Sequence, residues 1–406
     1  MKKIILSILL VLISVNVFAE KWNVYAGADE QTLEIIKECD ELIEKKQYLS
    51  ASHKVGGCAN EYMIYKYIEV CTQYFAQSLM HSMFAFKDLE ENETLMDVRT
   101  ASEGEFSITY RETPDETIDN YLAEHGNSLV LELARANYYY DAICRYGDQW
   151  LKTPAEVDEY IRDVYTRAVA AEVYDERVLA NYASVVLNDQ NWPETEKIYA
   201  SLAEKNSTNG NYWYNLAVSK MQQGKYADAI YPSQMAVDNP EEDPNYHLDA
   251  FLILADAYSY SGDFESAEKV LLNAHETYDY QPVVFQRLAE LFIIDEEHLD
   301  YDKANSYLDK VLTVVCDANT IYNCVSLYMN YCPPQMAIDF CTRNLKVYKE
   351  KINQGIFNFF IAQIYGYTQD SVNAKKYLDK AEKIFKKLKD TQWMENCQSI
   401  RAQMNL

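Results

Sequence analysis

The chain has 406 residues, 49% of them apolar and 25% charged, the balance of a folded protein and not of a disordered tail. Gly at 11 and Pro at 9 are too scarce for turn-rich sandwiches, barrels or glycine-rich nucleotide loops, so a helical chain is expected. Asp plus Glu at 63 against Lys plus Arg at 37 leaves a net charge of −26, which argues against nucleic acid as a partner because phosphate would be repelled.

Lys2 and Lys3 precede an apolar run from Ile4 to Val17, and Val17-Phe18-Ala19 supplies the small residues of a cleavage site. Residues 1–19 therefore read as a secretory signal, which makes the mature chain an exported protein, periplasmic or secreted. No Cys follows the cut, so a lipid anchor has no support. No later run is long and uncharged enough to be a transmembrane segment.

After the signal, residues 20–127 read as a helical region with one degenerate repeat and an irregular insertion. Ile35, Cys39, Leu42, Tyr48, Ala51 and Cys58 form that repeat, with a 12-residue step from Cys39 to Ala51. Residues 59–86 read as one long buried helix carrying Tyr62, Tyr65, Tyr74, Phe75, Met83 and Phe84. From Leu95 to Arg111 the helix signal fails. Phe106 to Tyr110 alternates with period two after a Ser102-Glu103-Gly104 turn, so a small β-hairpin is expected near 95–111. Leu129–Cys144 and Ala155–Ala171 look like a helical hairpin across Gly147 and Pro154.

An internal repeat dominates the rest. A small residue recurs at Ala183, Ala217, Ala255, Ala289, Val325 and Ala362, at intervals of 34, 38, 34, 36 and 37. A second series, Thr195, Ala229, Ala267, Ala304, Ala337 and Ala374, follows the first by 12 residues in five of six units. The exception is 15, with the extra residues in the polar loop around Glu296 and Glu297. Small side chains let two helix axes approach while large apolar neighbours fill the flanks. In one unit Trp213, Leu216, Ala217 and Lys220 share a face, Gly224 ends the helix, and Tyr226, Ala229 and Ala236 continue in the next until Asn239-Pro240. The following unit repeats this with Phe251, Leu254, Ala255, Tyr258, Gly262, Phe264, Ala267, Leu271 and Ala274. Pro232 falls inside the second helix of the first of these units and is expected to kink it, as a tolerated surface kink in preference to a bend that reshapes the groove. An array over 128–390 and a capping helix over 391–406 complete the organisation.

At Trp213-x2-Leu216-Ala217, Gly224-x-Tyr226-x2-Ala229 and Ala236 with Pro240 the chain resembles the tetratricopeptide repeat. The resemblance implies an all-α fold, a right-handed α-solenoid of antiparallel helix hairpins whose concave groove is lined by the first helix of each pair. It also implies a groove position two residues before each recurring small residue. These are Asn181, Asn215, Ile253, Arg287, Asn323 and Phe360, with Tyr214 and Tyr322 among the residues just before them. Amides there donate to and accept from a peptide backbone, and Tyr214 and Tyr322 pack on its apolar groups. Arg287 stands beside the acidic Asp256 and Glu290, so the expected partner is an extended protein or peptide segment, neutral to basic, and not an acidic tail.

Other features are less specific. The nine cysteines contain no CxxC and the histidines no HExxH, so no metal or other cofactor is implied. Cys324 and Cys341 face each other across one helix pair and are the pair expected to bridge if any does. The 35 tyrosines fit packing first and a ligand second. Lys375, Lys376, Lys380, Lys383, Lys386, Lys387 and Lys389 form either a solvated helix face or a surface for an anionic partner. No nucleophile elbow, P-loop or dinucleotide fingerprint is present, and the reading is non-enzymatic. Three functions remain: an extracytoplasmic binding scaffold, an enzyme or glycan-binding protein with its site in 87–155, or a structural component of an envelope assembly. N-terminal sequencing of the exported protein should begin at Glu20. An intact Met1 on exported protein would contradict cleavage.

Overall fold

The computed structural model describes residues 24–57, 59–101, 113–240, 244–278, 281–294 and 298–404. The expected signal at 1–19 and the period-two stretch at Phe106–Tyr110 lie outside the described residues. The chain falls into two compact units, 1–205 and 206–406. Apart from one two-stranded hairpin, the described residues are helices joined by turns.

Unit 1 contains α1 (Glu30–Glu44), α2 (Tyr48–Val55) and α3 (Glu61–Gln73), then β1 (Gln77–Leu79) and β2 (Met83–Ala85). It continues with α4 (Leu95–Ala101), α5 (Pro114–His125), α6 (Leu129–Tyr146), α7 (Pro154–Ala170), α8 (Glu176–Asn188) and α9 (Trp192–Lys205). Its core joins Cys39, Ala51, Ile68, Leu131, Val164 and Val178. The 12-residue step at Cys39 is a real contact: the thiol lies 3.7 Å from the Ala51 carbonyl oxygen, and both residues are fully buried.

Two expectations in this unit need correction. The long helix expected over 59–86 ends at Gln73, and an antiparallel hairpin follows, pairing Gln77 with Ala85 and Leu79 with Met83. Phe75 explains the break. Its ring packs on Phe84 at 5.4 Å under the guanidinium of Arg99 at 4.1 Å, while Arg99 Nε donates to the Phe75 carbonyl at 3.0 Å. That carbonyl is bound by a side chain and is not continuing a helix. Leu95–Ala101, expected to be non-helical, is helix α4, started by the Thr94 hydroxyl accepting from Asp97 N at 3.1 Å. The hairpin expected near 95–111 therefore does not include 95–101, and the one observed lies upstream.

Unit 2 alternates first and second helices: α10 (Gly210–Gln222) with α11 (Tyr226–Asp238), α12 (Pro244–Tyr260) with α13 (Phe264–Thr277), and α14 (Pro282–Leu291) with α15 (Tyr301–Val314). Then come α16 (Ala318–Tyr331) with α17 (Pro334–Val347), α18 (Lys351–Tyr367) with α19 (Ser371–Leu388), and the closing α20 (Thr391–Gln403). All twelve recurring small residues, including Ala183 and Thr195 of α8 and α9, are at most 5% exposed. The phenyl rings of Phe251, Phe285, Phe357 and Phe385 fill the spaces beside them.

The turns share a register too. The residue seven places after the small position is left-handed at Lys46, Gln190, Gly224, Gly262 and Gln369, with φ between 57° and 86°. Glycine is strain-free there, and the other three residues hold the same backbone without that advantage. Carboxylates cap the helix starts. Asp263, Asp300, Asp317, Asp370 and Asp390 each accept from a backbone N–H three residues on, so part of the acidic surplus stabilises helix N-termini. Pro232 departs from expectation. It is buried, and α11 continues through it to Asp238, where Ser233 Oγ donates to the Ala229 carbonyl at 2.7 Å.

Gly355 of α18 lies directly against Phe385 of α19. A Cβ there would stand 2.5 Å from Cε1 of the fully buried Phe385, which stacks on Trp393 at 5.2 Å. Helix propensity alone favours Ala over Gly by roughly 0.5–1 kcal/mol. Overpacking outweighs it, and Gly355→Ala should lose about 1–2 kcal/mol, read as a lower urea midpoint. An unchanged or higher midpoint would show that Phe385 has room to move.

Candidate functional site

In unit 2 the first helices meet one another as well as their own partners: α10 packs on α12, α12 on α14, and α16 on α18. Their polar side chains therefore collect on one face. Arg287 of α14 lies between two carboxylates, with Nη2 3.3 Å from Asp256 Oδ2 of α12 and Nη1 2.9 Å from Glu290 Oε2 one turn along. Tyr331 of α16 donates to Glu290 Oε1 at 3.2 Å. The chain Asp256–Arg287–Glu290–Tyr331 thus crosses three successive repeats. Ala255, Ser259, Tyr260, Leu271, Leu291 and Ile294 complete a shallow recess around it. Burial pushes the Asp256 carboxyl up to about 6, Arg287 pulls it down in part, and the like charge of Glu290 adds to the rise. Tyr260 and Tyr331 flank the recess with half their surface in solvent.

Antiparallel helix pairs with small residues at a 12-residue step, left-handed turns in register, and first helices packed against first helices define the repeat. In these features the repeats resemble tetratricopeptide repeats. No family model matches the chain, and no curated protein matches it. Solved structures of tetratricopeptide-repeat proteins are similar at low identity. YrrB, a tetratricopeptide-repeat protein with an unusual peptide-binding site, is 15% identical with a TM-score of 0.31, covering 58% of this chain and 97% of its own. A tetratricopeptide-repeat protein from Parabacteroides merdae is 13% identical with a TM-score of 0.39, covering 60% and 90%. The apo form of RapI is 11% identical with a TM-score of 0.44, covering 89% and 99%. No residue role passes across such distances.

The groove positions expected from the tetratricopeptide pattern are occupied unequally. Asn215 of α10 is 9% exposed, and its Nδ2 already donates to the Asn211 carbonyl at 3.0 Å and to the Tyr246 hydroxyl at 3.3 Å. Tyr214 is half-buried against Tyr246 of α12, with ring centroids 4.8 Å apart. Tyr322 and Asn323 of α16 are exposed, and the Tyr322 ring lies 6.0 Å from Phe360 of α18. Arg287 is the member engaged by charge. Asn181 lies in unit 1, on α8, where its Nδ2 donates to Asn137 Oδ1 at 3.1 Å and to the Tyr165 hydroxyl at 3.2 Å. Cys324 and Cys341 are both fully buried free thiols in the structure, and burial pushes the Cys324 thiol up to about 12.

Sequence reasoning missed the network to which Asn181 belongs. Tyr165 of α7 donates to Asn137 Oδ1 at 2.9 Å, Asn137 Nδ2 of α6 donates to the Tyr65 hydroxyl at 3.2 Å, and Tyr65 of α3 donates to Asp175 Oδ2 at 2.9 Å. Asp175 also caps α8. Beside it Arg177 pairs with Asp141, which accepts from Gln73 Nε2 at 2.6 Å. In the region 87–155, Asp115 accepts from Tyr139 at 2.9 Å and pairs with Arg135 Nε at 3.2 Å. Among the described residues no three His, Cys, Asp or Glu converge as a metal site would require.

The charges around Asp256 make a direct prediction for its titration. A carbon-detected NMR titration should place its midpoint near pH 6. Arg287→Ala should move that midpoint up and Glu290→Gln should move it down. A midpoint in the ordinary carboxylate range, unmoved by either change, would remove the recess as an electrostatic unit.

Proposed function

We propose that the protein is an extracytoplasmic scaffold that captures an extended, neutral-to-basic segment of a partner protein on the first-helix face of unit 2. The observation that supports this most is the Asp256–Arg287–Glu290–Tyr331 chain, which spans three repeats and in which two carboxylates share one guanidinium. A second cation beside it, from a Lys or Arg of the partner, meets a net negative, half-buried site where Coulomb attraction exceeds its value in open water. The exposed faces of Tyr260 and Tyr331 add cation–π contact and apolar area. An acidic tail meets the opposite: the single Arg287 is already held by its own two carboxylates.

Lys2, Lys3 and the apolar run Ile4–Val17 support a place outside the cytoplasm. Among the described residues no helix is long and apolar enough to cross a membrane. The net charge of −26 favours basic partners at long range and disfavours nucleic acid.

Asp256 sets the pH dependence. Its carboxyl is neutral below about 6 and charged above, so capture of a basic peptide should strengthen as pH rises through that value. The test is a titration with lysine-rich, neutral and glutamate-rich peptides by fluorescence anisotropy, beside the Asp256→Asn/Glu290→Gln variant. The variant should bind the lysine-rich peptide at least about tenfold more weakly, a loss of about 1.4 kcal/mol, with its helical circular dichroism unchanged. Equal binding by the folded variant, or preference for the glutamate-rich peptide, would overturn the reading.

A further inference from the structure

Helix α19 carries a face that the repeat packing of unit 2 does not use. Ala374, Leu378, Ala381 and Phe385 are its buried residues. At about 100° per residue, Lys376, Lys380, Lys383 and Lys387 fall within about 60° of one another on the opposite side. All four are exposed, as are Lys375, Lys386 and the left-handed cap Lys389. The helix's own two carboxylates turn to α20, where Arg401 Nη2 lies 2.6 Å from Asp379 Oδ1 and 3.0 Å from Glu382 Oε2. Among the described residues no carboxylate pairs with any of the seven lysines. Lys376 and Lys380 rest over the Tyr377 ring at 5.5 and 4.4 Å. Like charges three and four residues apart disfavour a helix. A chain with 63 acidic and 37 basic residues nonetheless concentrates seven lysines here.

The complement of this ridge stands on α1. Thr32, Ile36 and Cys39 are that helix's buried residues. Glu30, Glu34, Glu38 and Glu41 fall within about 80° of one another on the opposite side. All four are exposed, Glu44 extends the row, and Lys37 stands at its edge. Glu38 pairs with Lys54, whereas Glu30, Glu34, Glu41 and Glu44 have no cation partner among the described residues. Glu30 to Glu41 and Lys376 to Lys387 cover the same number of residues, about 16 Å of helix in each case.

We propose that the α19 lysine ridge is a self-recognition surface and that it docks on the α1 carboxylate ridge of a second copy of this chain. Charge complementarity and equal length identify the occupant. Two unlike surfaces on one chain make a head-to-tail contact, which adds copies in a row unless the rotation closes a ring. The Debye length of about 8 Å at physiological ionic strength screens the repulsion between two acidic chains and leaves close charge pairs to act at contact. An anionic membrane would also attract lysines, but it gives no reason for a ridge of matched length and opposite sign on α1.

Sedimentation velocity of the purified protein across concentration tests this. The mean mass should rise above one chain at about 0.05 M salt and fall back at about 0.5 M. Lys376→Glu/Lys380→Glu/Lys383→Glu/Lys387→Glu should weaken self-association at least about tenfold, and so should Glu30→Lys/Glu34→Lys/Glu38→Lys/Glu41→Lys. A chain carrying both sets has its ridges exchanged in sign and should associate again. Circular dichroism of each variant confirms folding, and the restored association of the exchanged chain separates pairing from misfolding. Three results would each overturn the proposal: a single chain at every concentration and salt, association that ignores the reversals, or a monomer whose lysines instead bind vesicles containing phosphatidylglycerol.

Discussion

Close approach of paired helices at buried small side chains is the constraint on which the other features depend. Ala217 and Ala229, Ala255 and Ala267, and Ala362 and Ala374 are buried on helices that pack as pairs, and none has a side chain long enough to hold two helix axes apart. The large residues are displaced to the flanks, where Phe251, Phe285, Phe357 and Phe385 make a continuous apolar layer in unit 2. That layer consumes one side of each first helix. The other side is left to polar residues, and because first helices also touch first helices, those residues line up from repeat to repeat. The Asp256–Arg287–Glu290–Tyr331 chain is a product of that alignment.

Much of this was legible in the sequence because it is periodic. The 12-residue step, the terminating Gly224 and Gly262, and the aromatics Tyr226, Phe264 and Tyr301 at the starts of α11, α13 and α15 are local signals repeated until they stand out. Cys39 and Ala51 were legible for the same reason, even in the degenerate repeat near the start of unit 1. Arg287 beside Asp256 and Glu290 came from the groove position that the resemblance to the tetratricopeptide repeat implies.

What was not legible is what is not periodic. Tyr65 and Asp175 are 110 positions apart, and nothing local to either points to the other. The hairpin at Gln77–Ala85 was hidden because Met83 and Phe84 are as apolar as a buried helix, and because its turn uses Met80 and His81 at φ 50° and 57° where glycine or asparagine would have announced it. Helix α4 is seven residues long, too short for a period of 3.6 to declare itself. Pro232 misled in the other direction. The kink was assigned to the surface, whereas Pro232 is buried within α11.

The order of contacts also governs how such a chain assembles. Within unit 2 each helix packs mainly on those next to it in sequence, from α10 against α11 to α19 against α20. Few distant segments must find one another before stabilising contacts form, so the loop-closure entropy opposing each step is small. A hairpin such as α18–α19 can therefore nucleate structure on its own and recruit its neighbours in either direction. The Tyr65–Asn137–Tyr165–Asp175 network imposes a different kinetics on unit 1. Its hydrogen bonds close only once α3, α6, α7 and α8 are all in place, which makes that unit the one with more to bring together before it is complete.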